Sequence, residues 1–124
     1  MRRKELPLIN IVEHADLVSE MLTDADRDSF VNDTVLHSAV TYQLAVIGEA
    51  VHRLPRELWE QHPSVPWREA VDFRNFVIHG YDVVTWERVW DAATQDGPRL
   101  RQQVWDILER HYPQAAAALR ERGH

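Results

Sequence analysis

The chain reads DTVLHSAVTYQLAVIGEAVHRL from Asp33 to Leu54, directly before Pro55. Its apolar side chains recur at spacings of three and four, which places them on one face of an α-helix. They are Leu36, Val40, Leu44, Ile47, Val51 and Leu54. Asn32 or Asp33 can cap the start of this helix, and Pro55 ends it. Gly48 in its middle costs about 1 kcal/mol relative to Ala, so we expect another backbone to approach closely there.

The segments on either side show the same helical spacing. The pattern predicts a first helix from about Leu8 to Leu22, a third that opens at Pro66 and ends at Gly80 as a C′ residue, and a fourth that Thr85 caps and that reaches about Leu108. Short helices are predicted from Arg56 to Gln61 and from Pro113 onward. Thr23 to Asp33 is predicted to be a loop, and Gly97-Pro98 is predicted to break or kink the fourth helix.

No segment alternates polar and apolar residues with the period of two that a strand requires. Helices of this length with short connections indicate an antiparallel bundle. The sequence therefore predicts an all-α fold, a four-helix bundle with short additional helices. We expect one domain over residues 1–124, with residues 113–124 as a C-terminal helical tail.

The composition restricts the possible functions. Twenty acidic against fourteen basic residues give a net charge of −6, so any contact with nucleic acid must be local. Cysteine is absent, which excludes disulfides, a thiolate nucleophile and a Cys-based zinc site. No apolar run is long enough for a signal peptide or a membrane span. We expect a cytoplasmic protein that contacts no membrane.

Residues 73–81, FRNFVIHGY, set polar side chains into an otherwise apolar helix end. Asn75 and His79 are four residues apart and share a helix face, so the Asn75 amide could orient the imidazole. Arg74 lies five residues before His79, about 140° around an ideal helix, so the two side chains converge only if His79 leaves helical geometry. Composition alone would give the string Arg-Asn-x3-His-x-Tyr with a probability below about one in a thousand.

Arg74-Asn75 together with His79-Gly80-Tyr81 resembles the Arg-x4-His-x-Tyr motif of HepT-like toxins, a branch of the HEPN superfamily. Two further elements are similar to that family. VIGEA at residues 46–50 resembles the Ile-Gly-Glu-Ala element of its second helix, and Pro66-Trp67 matches the start of its third helix. The resemblance extends from about residue 8 to residue 108.

This resemblance implies a ribonuclease that acts as a homodimer, with both Arg/His sets lining one cleft. By this resemblance Arg74 and His79 take the catalytic roles and Asn75 a supporting one; Glu49 is a further candidate for a supporting role, either as a structural acid or as a catalytic helper. The family resemblance also implies an RNA substrate, no metal or other cofactor, and a partner, an MntA-like nucleotidyltransferase antitoxin. In this family the antitoxin attaches AMP to the motif tyrosine, here Tyr81.

The chemistry of the residues agrees with this reading. Cleavage of RNA without a metal needs a base for the 2′-OH proton, an acid for the leaving oxygen and positive charge for the phosphorane. An imidazole such as that of His79 can accept or donate a proton in general acid–base catalysis, and the guanidinium of Arg74 can bind two phosphate oxygens at once. AMP on Tyr81 would add bulk and negative charge near the expected phosphate.

Simpler interpretations remain open. In one interpretation Arg74 does no more than form an ion pair with Glu49. Asn75 then does no more than form a hydrogen bond with a loop carbonyl. Glu49-x-x-His52 resembles half of a di-iron motif, but the second half is missing. At the level of function, one alternative is a non-catalytic subunit that binds a nucleotide or docks to a nucleotidyltransferase. Another is a purely structural helical dimer.

Overall fold

The computed structural model describes residues 3–80 and 84–124, and it contains helices but no strands in this part of the chain. The predicted all-α fold is confirmed. The helices are α1 (Glu5–Met21), α2 (Arg27–Val31), α3 (Thr34–His52), α4 (Arg56–Gln61), α5 (Trp67–His79), α6 (Trp86–Asp91), α7 (Gly97–His111) and α8 (Pro113–Glu121). Within the same residues, no helix has the length and apolar character needed to traverse a bilayer.

Helix α3 forms the centre of the bundle, with α1 and α5 packed against it and α7 packed on the other side of α1. Its apolar stripe is buried as the spacing predicts, apart from Leu36, which is half-buried at the edge of the core. The buried members are Val40, Leu44, Ile47, Val51 and Leu54. Each such side chain contributes roughly 1.5–3 kcal/mol through burial. Since α5 packs mainly against α3, the position of α5 depends on that helix.

The predicted loop from Thr23 to Asp33 is wrong in its middle, because α2 forms there. Asp26 caps this helix, since its carboxylate accepts a hydrogen bond from the backbone N–H of Ser29 at 2.8 Å. The Ser29 hydroxyl oxygen accepts one from the backbone N–H of Asp26 at 3.0 Å, which completes a capping box. Phe30 is fully buried and anchors the turn. A five-residue helix is too short for hydrophobic periodicity to reveal.

Gly97-Pro98 does not break the fourth helix. The backbone stays helical from α6 into α7, and a π-helical turn, Ala92–Asp96, joins them. Pro98 lacks an N–H, and its ring would collide with the carbonyl four residues earlier in a regular α-helix. A widened turn before the proline relieves that conflict. The predicted distortion is present as a local widening of the helix.

Asp16 on α1 binds Arg101 of α7 and His124, which follows α8. Arg101 donates to both oxygens of its carboxylate, at 2.9 and 3.1 Å, and His124 Nδ1 lies 2.7 Å from Oδ2. Partial burial raises the pKa of Asp16, but the hydrogen bonds from Arg101 and His124 together outweigh it and leave the pKa below its ordinary value. The charged form of Asp16 therefore stabilises the fold.

We expect Asp16→Asn to lower the free energy of unfolding by about 1–2 kcal/mol at pH 7, because the charge-assisted hydrogen bonds are lost. A carboxyl whose pKa is lowered in the folded state stabilises above its unfolded pKa of about 3.9. That stabilisation disappears as the pH falls through the lower folded pKa. Urea unfolding of both proteins from pH 7 to pH 3 should therefore show the difference shrinking below pH 4.

Asp91→Asn provides the matched control, because Asp91 forms an exposed ion pair with Arg27 at 3.3 Å. Such pairs contribute roughly 0–1 kcal/mol. An Asp16→Asn variant no less stable than Asp91→Asn, or a difference that grows in acid, would contradict the role given to Asp16.

Candidate active site

Helix α5 approaches α3 closely at Gly48. A Cβ atom placed on Gly48 would lie 2.5 Å from Cβ of Arg74 and 2.7 Å from the backbone oxygen of Ala70. Both distances are far below van der Waals contact, and one partner is backbone that cannot rotate away. The predicted close approach at Gly48 is confirmed. Because position 48 has no side chain, the aliphatic part of Arg74 can pack directly against α3.

We expect Gly48→Ala to destabilise the protein by about 1–3 kcal/mol, the usual cost of overpacking, despite the better helix propensity of alanine. It should also displace Arg74. Urea unfolding measures the first effect, and the rate of RNA cleavage measures the second.

Gly97→Ala is the comparison for this prediction. Its added Cβ would meet only the backbone oxygen of Ala92, at 3.2 Å, so a shift of a few tenths of an ångström suffices. Equal stability losses in the two variants would show that the contact with Arg74 is not what makes Gly48 necessary.

The Arg74 guanidinium is held by two partners. Nη2 lies 3.1 Å from Oε2 of Glu49, and Nη1 donates to Oδ1 of Asn75 at 2.8 Å. The pairing with Glu49 is the simpler alternative that the sequence left open, and it is present. Glu49 also faces Arg53, whose Nε lies 3.5 Å from Oε1. One carboxylate thus lies between two guanidinium groups, which leaves the cluster with a net positive charge.

His79 is the last residue of α5 and is exposed to solvent. It keeps helical geometry, so the departure that would bring it to Arg74 within one subunit does not occur. Gly80 follows with φ −126° and ψ 31°, so the helix ends as predicted but without the left-handed conformation of a C′ glycine. Among residues 3–80 and 84–124, the imidazole has no hydrogen-bond partner. The described residues therefore leave both ring nitrogens without a partner.

Asn75 links the two candidate catalytic groups. It shares a helix face with His79 because the two are four residues apart. The sequence suggested that the Asn75 amide orients the His79 imidazole. In the structure, the side-chain oxygen of Asn75 instead accepts a hydrogen bond from Arg74. The bond draws the Arg74 guanidinium toward the side of α5 that carries His79. One subunit thus presents a positioned cation and an exposed imidazole on the same stretch of α5.

Other predicted site features have different outcomes. Tyr81 lies outside the described residues. In the part of the chain that the structure describes, no group of three or more His, Asp or Glu side chains could hold a metal ion. Glu49, half of the di-iron-like motif, faces the two guanidinium groups instead. The sequence analysis missed Arg53 as a second partner of Glu49, although their spacing of four residues on a helix is a recognisable signal.

A cavity of about 330 Å³ lies between α3, α5 and the π-helical turn. Its floor is apolar, with Leu44, Ile47 and Phe73 among the lining residues. Neither Arg74 nor His79 lines it. This cavity is therefore separate from the candidate active site, which lies on open surface.

That open surface carries exposed apolar side chains. Ile78 is 50% exposed and Phe76 is 41% exposed, and the two flank His79 on α5. On α3, Tyr42 is 66% and Val35 is 81% exposed. Val35, Tyr42 and Glu49 follow one another at intervals of seven residues and so lie on one side of α3. We call these four apolar residues the α3–α5 face.

Comparison with known proteins gives a consistent result. The family model "Ribonuclease HepT-like" matches residues 11–107. A protein of Caldanaerobacter subterraneus named "Putative RNase" is 35% identical over 103 residues, which are 83% of this chain and 92% of that protein. A protein of Thermococcus cleftensis named "Probable ribonuclease HepT" is 32% identical over 94 residues, 76% of this chain and 86% of that protein. No solved structure shows significant similarity to the chain.

Proposed function

This chain belongs to the HepT-like ribonuclease family of the HEPN superfamily, and on that premise we propose that it is a metal-independent endoribonuclease. The observation that carries the proposal is that α5 presents an exposed His79 together with an Arg74 guanidinium that is held by Asn75, four residues before His79. An imidazole and a guanidinium supply proton transfer and charge stabilisation, the two needs of RNA cleavage without metal.

The proposed reaction uses the ribose 2′-OH as the nucleophile. An imidazole accepts the 2′-OH proton while O2′ attacks the adjacent phosphorus. The P–O5′ bond breaks, and the departing O5′ takes a proton from a second imidazole. The products are a 2′,3′-cyclic phosphate and a 5′-OH. Arg74 binds the phosphoryl oxygens as negative charge builds on them.

Two imidazoles require two copies of the chain, and the α3–α5 face supports that arrangement. Phe76 and Ile78 are exposed beside His79 on α5, and Val35 and Tyr42 are exposed on the adjacent α3; exposed apolar patches commonly mark interfaces. In a two-fold dimer the same residues meet their own copies. Burial of Phe76 and Ile78 against a second subunit would bring both His79 residues to one cleft and exclude water from it.

The test is cleavage of a labelled RNA by the purified protein in excess EDTA, with analysis of the product ends. We expect cleavage to continue in EDTA and to yield 2′,3′-cyclic phosphate ends. Cleavage that requires Mg²⁺, or that leaves 3′-OH ends, would overturn the proposed chemistry. Tight nucleotide binding with no cleavage would instead identify a non-catalytic partner subunit.

We propose further that the ribonuclease is the toxin of a two-gene pair and that its partner is an MntA-like nucleotidyltransferase. The partner transfers AMP from ATP to the phenol oxygen of Tyr81 and releases pyrophosphate. The position of Tyr81, two residues after His79 in the sequence, supports this. The added phosphate would bring negative charge two residues from His79 in the chain and so oppose binding of the RNA backbone.

Incubation with such an enzyme and ATP should attach AMP to Tyr81 and stop cleavage, whereas Tyr81→Phe should stay unmodified and active. Modification at another residue, or a modified protein that still cleaves at the full rate, would contradict this regulation.

A further inference from the structure

A second concave surface lies at the start of α1, beside the turn that joins α3 to α4. It is a hollow of about 980 Å³ whose lining includes the cations Arg3, Lys4 and Arg53, with Asn10 and Pro55. We call it the basic hollow. Neither the sequence pattern nor the family resemblance assigns it a role.

The charge of the basic hollow is opposite to that of the chain. The protein carries a net charge of −6, yet no acidic residue lines this surface. Glu5 lies 2.7 Å from Arg3, and Glu49 lies 3.5 Å from Arg53, so two of the cations are partly compensated. Lys4 is exposed and forms no ion pair among the described residues. The hollow is thus a local positive site of the kind that an acidic protein needs to bind a polyanion.

Two ion pairs link the basic hollow to the candidate active site. The Glu49 carboxylate contacts Arg53, which lines the hollow, and Arg74, which is positioned beside the His79 face of α5. The two guanidinium groups are therefore separated by a single carboxylate. A strand whose reacting phosphate lay at Arg74 would have its neighbouring phosphates within reach of Arg53 and then of Lys4.

We infer that the basic hollow binds the phosphodiester backbone of the RNA strand next to the cleaved bond, an inference that rests on the proposed ribonuclease function. Its polar lining consists of cations and one amide, and it contains no aromatic ring on which a base could stack. Contacts of this type position a strand without reading its sequence. The hollow therefore sets the affinity for RNA but not the choice of base.

Binding is measured with a labelled single-stranded 12-mer RNA and His79→Ala protein, so that cleavage does not interfere. Adding Lys4→Ala should weaken binding about fivefold at 0.1 M salt. The slope of log affinity against log salt should fall by about 0.7, the value for one lost phosphate contact on a single strand. With Lys4→Arg in place of Lys4→Ala, the protein should bind the 12-mer as tightly as the His79→Ala protein that keeps Lys4. Arg99→Ala, which removes an exposed cation in the first turn of α7 outside the hollow, should change neither quantity.

The cleavage assay separates this inference from the proposed function. Lys4→Ala in otherwise native protein should lower kcat/KM for the 12-mer by the same factor and leave the rate on a dinucleotide unchanged, because a single phosphate does not extend into the hollow. If the protein cleaved no RNA at all, the proposed function would be contradicted. The binding measurement would still decide whether the basic hollow binds RNA. Equal behaviour of Lys4→Ala and Arg99→Ala would overturn the inference. So would equal weakening of binding to a poly-glutamate peptide, which would assign the hollow to an acidic protein.

Discussion

Replacement of His79 by alanine is expected to slow RNA cleavage in EDTA by about 10²–10⁴-fold, the range that a positioned proton-transfer group supplies. Arg74→Ala should cost about 10²–10³-fold, because the charge on the phosphorane loses its partner. His79 is exposed at the end of α5, so its loss should leave the unfolding midpoint unchanged. Initial rates on one labelled RNA, at equal and saturating protein concentrations, measure both effects.

Two control variants match these changes closely. His111 is the exposed last residue of α7, as His79 is of α5, and His111→Ala should cleave at the native rate. Arg68 is an exposed arginine in the first turn of the same helix as Arg74, and Arg68→Ala should also remain active. If both site variants cleaved as fast as the controls, the roles given to Arg74 and His79 would be untenable.

Introduction of a charge into the α3–α5 face should have an effect of similar size. Ile78→Glu places a carboxylate on a half-exposed apolar position beside His79. In a two-fold dimer the change appears twice, and like charges then face each other across a desolvated surface. We expect the chain to sediment as a single copy and the cleavage rate to fall at least about a hundredfold, because each active site loses its second imidazole.

Ala117→Glu is the control for this variant, since Ala117 is exposed on α8 and lies outside the matched family region. It should leave both the sedimentation coefficient and the cleavage rate unchanged. An Ile78→Glu protein that remained dimeric and fully active would remove the α3–α5 face from the active assembly. Native protein that cleaved at full rate as a single copy would do the same.

Much of the fold follows from local pattern. The α3 stripe predicted both the helix and the core, because the buried face of a helix repeats with its own period. Gly48 predicted a close helix contact, and the structure places the stem of Arg74 there. Helix α2 was missed because five residues show no periodicity, and the π-helical turn before Pro98 reflects a local steric adjustment that the spacing of apolar residues does not encode.

Only part of the candidate site could be predicted from the sequence. The residue types at positions 74, 75 and 79 indicated the chemistry, but the partners did not follow from spacing. Asn75 bonds Arg74, not His79, because a guanidinium can reach sideways along the helix. The exposure of Phe76 and Ile78 could not be predicted, since a periodic apolar pattern does not distinguish a core from an interface. That distinction depends on which neighbours the folded chain supplies.

The central claim is that two copies bring the ends of their α5 helices to one RNA, and a distance across the dimer tests it most directly. The chain has no cysteine, so Asp72→Cys gives one spin label per copy, on the exposed face of α5 that also carries His79 seven residues later. In labelled protein that still cleaves RNA, we expect a separation shorter than one subunit diameter, about 35 Å for a compact chain of this length. A longer separation, or no dipolar coupling at all, would contradict the shared cleft.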